Sequence, residues 1–379
     1  MTFDEGLLAD EAELSRRDAD RLLWSLAGSG AQVRNAVQLA DEFGAGALAT
    51  STPPRAVLLS GDDAARDAFR VLARVIAPSA AVVEWTSADL PRWAGPSDAL
   101  LVAAVDGAHP RTAALLAQAG RRGLLCAAVA PGSSPIAAAA GRSPFAALAP
   151  DVRPRAARWA LLTPLLLAAH ELGVCAVALG LFAEVADALD AAAEACRPSA
   201  EVFTNPAKML ATDLAESRPV VAGAGSFATI AARIFADDLR RWAGLPAIAV
   251  GLPDELALAS ALLARSAGPA DDFFRDRIDE ADRGARLVTI GDDGDPRDPV
   301  FGERSAGEIE LEEIAARRAL DRLVDSARIS GGPPLRVDVP SGSRLVRLAR
   351  ATAIGAFTAA YAALGLGRDL SDSLARDVR

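Results

Sequence analysis

Apolar positions change their period several times along this chain. Over residues 1–50, Leu7, Leu8, Leu14, Leu22, Leu23 and Leu26 recur among charges, and Gly28-Ser29-Gly30 breaks the run. Val33, Ala36, Val37 and Ala40 continue with helical spacing until Gly44 and Gly46. Both stretches predict amphipathic helices. Beyond the Thr52-Pro53-Pro54 linker the pattern becomes short, nearly unbroken apolar runs at 55–60, 80–85, 99–105 and 124–129. Helical spacing at 64–76 and 112–120 lies between them. Strands of this kind alternating with helices predict a parallel sheet covered on both faces. Ligands of such sheets sit beyond the C-terminal strand ends, which here are the loops at 60–63, 106–110 and 130–134.

Residues 150–196 read as a helical bridge, with one helix over 158–172 and another marked by Phe182, Val185, Leu189 and Cys196. The alternation then starts afresh. Asn205-Pro206 opens a short helix over 207–216, Pro206 being suited to a first helical position. Val220 to Ser226 is a buried strand entering a glycine turn, and Ile230, Ile234, Leu239 and Trp242 give the next helix. Strand, glycine turn and helix N-terminus together make a candidate anion site. Further strands are expected at 245–250, 286–290 and 335–339. A polar helix is expected over 265–284, an amphipathic one over 308–326, and a closing helix over 344–366. The fold expected is α/β with two parallel-sheet domains, each flanked by helices. Its divisions are an N-terminal helical segment (1–50), a first domain (51–150), a helical bridge (151–199) and a second domain with the closing helix (200–379).

Composition narrows the chemistry. The 379 residues carry a net charge of −10, which argues against nucleic acid and anionic membranes as partners. Cys126, Cys175 and Cys196 are far apart and form no CxxC, so no metal or redox motif is visible and no cofactor is expected. The acidic loop from Asp292 is not a calcium loop, because Gly294, Pro296 and Arg297 fall at its third, fifth and sixth positions. No apolar run is long enough to span a bilayer, and the N-terminus lacks a secretory core, so a cytoplasmic protein is expected. Ser226 lacks the outer glycines of a nucleophile elbow. Of the two histidines, His170 lies in an alanine-leucine helix and His109 at a strand end. Lys208 is the only lysine among 40 basic residues.

Four segments together resemble the bifunctional phosphoglucose/phosphomannose isomerase family of the SIS (sugar isomerase) fold. Arg153-Pro154-Arg155-Ala156-Ala157 is similar to that family's PRAA segment, and Asn205 to Ala211 to its NPAKxLA segment. Pro219 to Gly223 resembles the opening strand of the second SIS domain. Ala359 to Asp369 resembles the closing YLAxxxGxDP helix, with Leu370 in place of proline. The resemblance implies two SIS domains, a homodimer, and interconversion of hexose 6-phosphates by proton transfer between C1 and C2. That chemistry needs a base, a ring-opening group and donors for phosphate.

The departures fall on those groups. The family's GMGGSxxGG loop is Ser60-Gly61-Asp62-Asp63-Ala64 here, and its SxSGNTxET loop is Ala104 to Thr112, keeping only Gly107 and Thr112. A carboxylate beside a phosphate repels it by about 4 kcal/mol per charge pair at about 4 Å in a surface-like dielectric. The base position falls at Arg241 and the ring-opening histidine near Ala257. The resemblance therefore implies a degenerate member that binds a carbohydrate derivative (sugar phosphate or sugar nucleotide) or a protein partner. Two alternatives stand: an isomerase with relocated groups, using Glu255 as base and Arg155 as electrophile, and a structural scaffold dimer. The expected cleft comprises Gly61, Asp62, Asp106, Gly107, His109, Thr112, Ser133, Ser134, Arg155 and Lys208. Lys208 is expected to clamp the two halves together, with the 344–366 helix or the 150–196 bridge in a dimer interface.

Overall fold

The computed structural model describes residues 3–76, 79–264, 284–291, 306–330, 333–339 and 342–370. The acidic loop from Asp292 and, Gly284 apart, the polar stretch 265–284 lie outside them. The chain divides into two compact units, Gly28–Asp187 with Asp298–Glu303, and Met1–Ala27 with Ala188–Arg297 and Arg304–Arg379. The expected N-terminal segment is thus shared between the units, and the expected bridge is divided within the Leu179–Ala195 helix.

The first unit holds five strands: β1 (Ala56–Gly61), β2 (Ala81–Glu84), β3 (Asp98–Ala103), β4 (Leu125–Pro131) and β5 (Phe145–Leu148). They pair in parallel in the order β2-β1-β3-β4-β5. β1 and β3 sit centrally, and Val57, Leu58, Leu100 and Val102 have no exposed surface, as a sheet covered on both faces requires. The helices Arg66–Ile76 and Arg158–Glu171 are tied by a buried ion pair, Arg158 Nη2 donating to Asp67 Oδ2 at 3.0 Å. β5 and the Pro135–Ala140 helix before it were not expected from the sequence. Phe145-Ala146-Ala147-Leu148 has no β-branched residue, so its strand character comes from pairing with β4 and not from local preference.

The second unit holds β6 (Arg218–Ala224), β7 (Ile248–Leu252), β8 (Ala285–Gly291) and β9 (Leu335–Arg336), parallel in the order β7-β6-β8-β9. The run expected as a strand over 335–339 pairs over only two residues, with Val337 N–H donating once more to Thr289 O. Helix Ser226–Asp238 follows β6 so closely that a Cβ on Gly223 would lie 2.3 Å from the Ala228 carbonyl carbon. A wider turn over Leu239–Ala243 then leads to Gly244. The closing helix Arg344–Gly365 buries nearly every residue inside this unit, because alanine and glycine let its neighbours approach on all sides. Helix Arg158–Glu171 is equally enclosed in the first unit. These two helices spend their surfaces on their own cores, whereas the Leu179–Ala195 helix of the expected bridge keeps exposed positions, Leu179 among them at 61%.

Candidate functional site

In the first unit the C-terminal strand ends bring three of the expected loops together. β1 ends at Gly61, in register with Ala103 at the end of β3. Asp62 follows in extended conformation and caps the short turn Asp63–Ala65, its Oδ1 accepting from Ala65 N–H. Its other oxygen reaches the loop after β3. Val105 N–H donates to Asp62 Oδ2 at 2.6 Å, and Asp106 N–H at 3.3 Å. The carboxylate thus takes amides of the loop 104–112, whose Gly107 and Thr112 carry its resemblance to a phosphate loop. Burial pushes the Asp62 carboxyl above the usual carboxylate range, while the Val105 and Ala65 N–H groups and the nearby His109 pull it down.

The rest of this loop is shaped by its neighbours. Asp106 Oδ1 accepts from Ala108 N–H at 3.1 Å, folding the turn back on itself. Gly107 has φ +60°, and a Cβ there would lie 2.4 Å from Ser134 Cβ, so glycine is required for both reasons. Ser134 is buried and caps the Pro135–Ala140 helix by accepting from Ala137 N–H, which leaves Ser133 as the exposed hydroxyl. His109 is the residue before helix Pro110–Arg122 and makes no side-chain capping bond, and Thr112 is buried in that helix's first turn. Arg155 is half-buried in the single turn Pro154–Ala156. Asp62, Asp106, Gly107, His109 and Ser134 therefore form one cluster of contacts and charge. This cluster offers acceptors and one imidazole where a phosphate would need donors.

The second unit places Glu255 and Lys208. Glu255 precedes helix Leu256–Ala264, and its carboxylate accepts from Gly251 N–H in β7 while its own N–H donates to Gly251 O at 2.8 Å. The carboxylate closes its own turn beside Thr229, whose Oγ1 donates to Gly223 O. Arg241 lies in the Leu239–Ala243 turn, 3.9 Å from Asp238, and Ala257 is exposed. Neither position carries a base or a ring-opening group.

Lys208 is a different kind of residue from the one expected. It is 1% exposed, and its Nζ donates to Pro198 O at 2.6 Å and Ala200 O at 2.9 Å. It lies 5.6 Å from the ring centre of Tyr361, so the chain's one lysine stands over its one tyrosine. Tyr361 in turn donates to Cys196 O at 2.6 Å, and Asn205 Nδ2 to Arg197 O at 3.1 Å. Asn205 Oδ1 accepts from Ala207 and Lys208 N–H, starting helix Pro206–Leu214. Three side chains therefore hold the four carbonyls of Cys196, Arg197, Pro198 and Ala200. The expected clamp between halves is corrected: every partner of Lys208 Nζ belongs to the second unit, whereas Arg155 belongs to the first. Burial depresses the Lys208 ammonium, partly offset by Glu201 and Glu11.

All three cysteines are free, and burial pushes each thiol up to about 12. His170 Nδ1 accepts from Val177 N–H at 3.3 Å, a local helix-end contact. Among the described residues no group of His, Cys, Asp and Glu is placed to hold a metal, and no helix is long and apolar enough to cross a membrane.

Residues 203–374 match the family described as the bacterial phospho-glucose isomerase C-terminal SIS domain. No curated protein matches the chain. Solved structures do. A hypothetical protein from Thermus thermophilus is similar at TM-score 0.62 and 14% identity, over 100% of this chain and 98% of that one. Tagatose-6-phosphate ketose/aldose isomerase from Escherichia coli is similar at 0.59 and 13%, over 97% of each. The C-terminal domain of glucosamine-fructose-6-phosphate aminotransferase from Francisella tularensis is similar at 0.56 and 10%, over 91% of this chain and 96% of that one. At these identities the likeness is one of fold.

Proposed function

With residues 203–374 matching the bacterial phospho-glucose isomerase C-terminal SIS domain, we propose that the chain is a SIS-fold protein that binds a carbohydrate derivative without isomerising it. The observation that supports this reading best is Asp62 seated on the Val105 and Asp106 amides. Those donors are already satisfied by a carboxylate of the same chain. An incoming phosphoryl group there would have to displace it and then sit beside it, against about 4 kcal/mol per charge pair at about 4 Å in a surface-like dielectric. A ligand of this site presents hydroxyls or a cation to Asp62, Asp106 and Ser133, and any phosphoryl group it carries, as in a sugar nucleotide, is held elsewhere. The catalytic side supports the same reading, since Arg241 and Ala257 stand at the acid–base positions and Glu255 is engaged by Gly251.

A homodimer belongs to this proposal. Phe203 is 75% exposed and Met209 47%, and a second copy of the chain would cover these apolar side chains. The three free cysteines suit a reducing, cytoplasmic setting. The test is a thermal-shift panel of neutral sugars, hexose 6-phosphates and sugar nucleotides, run beside an isomerase assay on glucose, mannose and fructose 6-phosphates. We expect stabilisation by a sugar or sugar nucleotide and no turnover. Turnover of ordinary enzyme magnitude, on the order of 10 per second, overturns the reading.

A further inference from the structure

The first unit contains a hollow that shares no residue with the site described above. It lies along β5, the edge strand of its sheet, and has a volume of about 160 Å³. Its floor is apolar and buried, formed by Phe43, Val129, Ala160 and Pro164, with Phe145 and Leu148 at the side. A cavity of similar size, about 150 Å³, accommodates a benzene ring when lined by apolar side chains.

Two features make this hollow more than an apolar gap. Gln32, on helix Ser29–Gln38, lines it, and its Oε1 is buried with no hydrogen-bond partner. Leaving an acceptor buried and unmade is costly, and native structures hold few of them. Pro164 sits inside helix Arg158–Glu171 and has no N–H, so it cannot close the helical bond to the Ala160 carbonyl. Ala160 and Pro164 both line the hollow. At its mouth stand Asn35, Leu39 and Glu42, so the charge at the entrance is negative. Apolar walls, the unpartnered Gln32 oxygen and a negative rim select against anions and for a flat ring bearing an N–H.

We propose that this hollow is a binding site for a small N–H-bearing heteroaromatic ring, of indole or nucleobase size, whose N–H is accepted by Gln32 Oε1. The ring lies against Phe43, Phe145 and Pro164. The site stands independently of the sugar site, because no residue lining it belongs to the Asp62 cluster.

The experiment titrates the full chain with indole and with benzofuran, which has the same ring outline and an oxygen in place of the N–H. Calorimetry or ligand-observed NMR gives the two affinities. Indole is expected to bind about tenfold more tightly, the ratio that one hydrogen bond of about 1.4 kcal/mol gives. Gln32→Leu should bring indole down to the benzofuran level while the protein melts no lower than the wild type, since the variant removes an unsatisfied acceptor. Ala36→Phe, filling the hollow from the same helix, should abolish both. No binding of either ring to the wild type at millimolar concentration overturns the proposal. So does equal binding of the two rings, or indole affinity that Gln32→Leu leaves unchanged. Should Ala36→Phe fail to fold, the Gln32→Leu comparison decides alone.

Discussion

Two polar clusters, one in each unit, solve opposite problems. At Lys208 the fold supplies side-chain donors to backbone carbonyls, and at Asp62 it supplies a side-chain acceptor to backbone amides. Burial pushes both groups toward their neutral forms, the ammonium down and the carboxyl up. The surroundings differ. Lys208 is almost fully enclosed, and each neighbouring carbonyl has its own donor, so nothing is left over for a ligand. Asp62 is only partly buried and faces the Asp106 loop and the charge of His109. The lone lysine serves the turn that it caps, while Asp62 holds the amides of a neighbouring loop from a less enclosed position.

The largest effect expected follows from this contrast. Lys208→Met removes two charge-assisted bonds and leaves the half-buried Pro198 and Ala200 carbonyls without their donors. Hydrogen bonds to charged groups contribute about 1.5–3 kcal/mol each, so urea unfolding should show a loss of roughly 3 kcal/mol or more. Ligand binding at the first unit should survive in protein that remains folded. A variant that melts like the wild type but no longer binds a sugar derivative would make Lys208 part of the site and erase the distinction between the clusters.

Tyr361→Phe is the next smaller perturbation. It keeps the ring beside the ammonium and removes only the O–H to Cys196 O. A loss of about 1–2 kcal/mol is expected, read from the same unfolding curves. Combining it with Lys208→Met should give less than the sum, because both hold one turn. Strict additivity would show that the turn is held by independent contacts.

Much of this architecture was legible in the pattern of apolar positions. Both parallel sheets, the restart near Pro219 and the closing helix were expected, because unbroken apolar runs and helical spacing are local signals. β5 was not legible, since alanines between Phe145 and Leu148 carry no strand preference and the pairing with β4 is a tertiary fact. The site was legible in parts. The sequence marked Asp62 as a departure, but not that its carboxylate reaches Val105, 43 positions away. Lys208 was noticed for its rarity, yet the carbonyls it serves belong to a turn whose shape no spacing rule describes. The sole tyrosine was the available clue, since a lone phenol in an alanine helix needs a partner for its O–H.

Within the Asp62 cluster, Asp62→Ala and Asp62→Asn should separate. The alanine variant leaves the Val105 and Asp106 amides to water or to an added anion and should lose about 1–2 kcal/mol. It should also be the form that inorganic phosphate stabilises in a thermal-shift titration, an effect absent from the wild type. Asparagine keeps an acceptor oxygen without the charge and should fall between the two. Stabilisation of the wild type and the alanine variant by phosphate to the same extent would mean that Asp62 does not occupy an anion position.

The smallest effect is the dependence on pH, and its sign is fixed by the direction of the Asp62 shift. Burial raises the folded carboxyl above its unfolded value of 3.8, against the opposing pull of the Val105 and Ala65 amides and of His109. A raised pKa means that the folded state holds the proton more firmly than the unfolded chain. The stabilisation this provides is complete below the unfolded value and is lost as the pH rises through the folded one. Asparagine at this position does not titrate. The stability of Asp62→Asn relative to the wild type should therefore increase as the pH climbs above 3.8 and level off once the folded carboxyl has ionised. Taking the difference between the two proteins cancels the titrations they share, and repeating it in a His109→Asn background removes the imidazole's charge. In that background the rise should extend to higher pH, because a group that pulled the carboxyl down has gone. A difference that falls across the same interval would show that the amides outweigh burial. Asp62 would then be as well satisfied in its unit as Lys208 is in the other, and the first cluster would be architecture too.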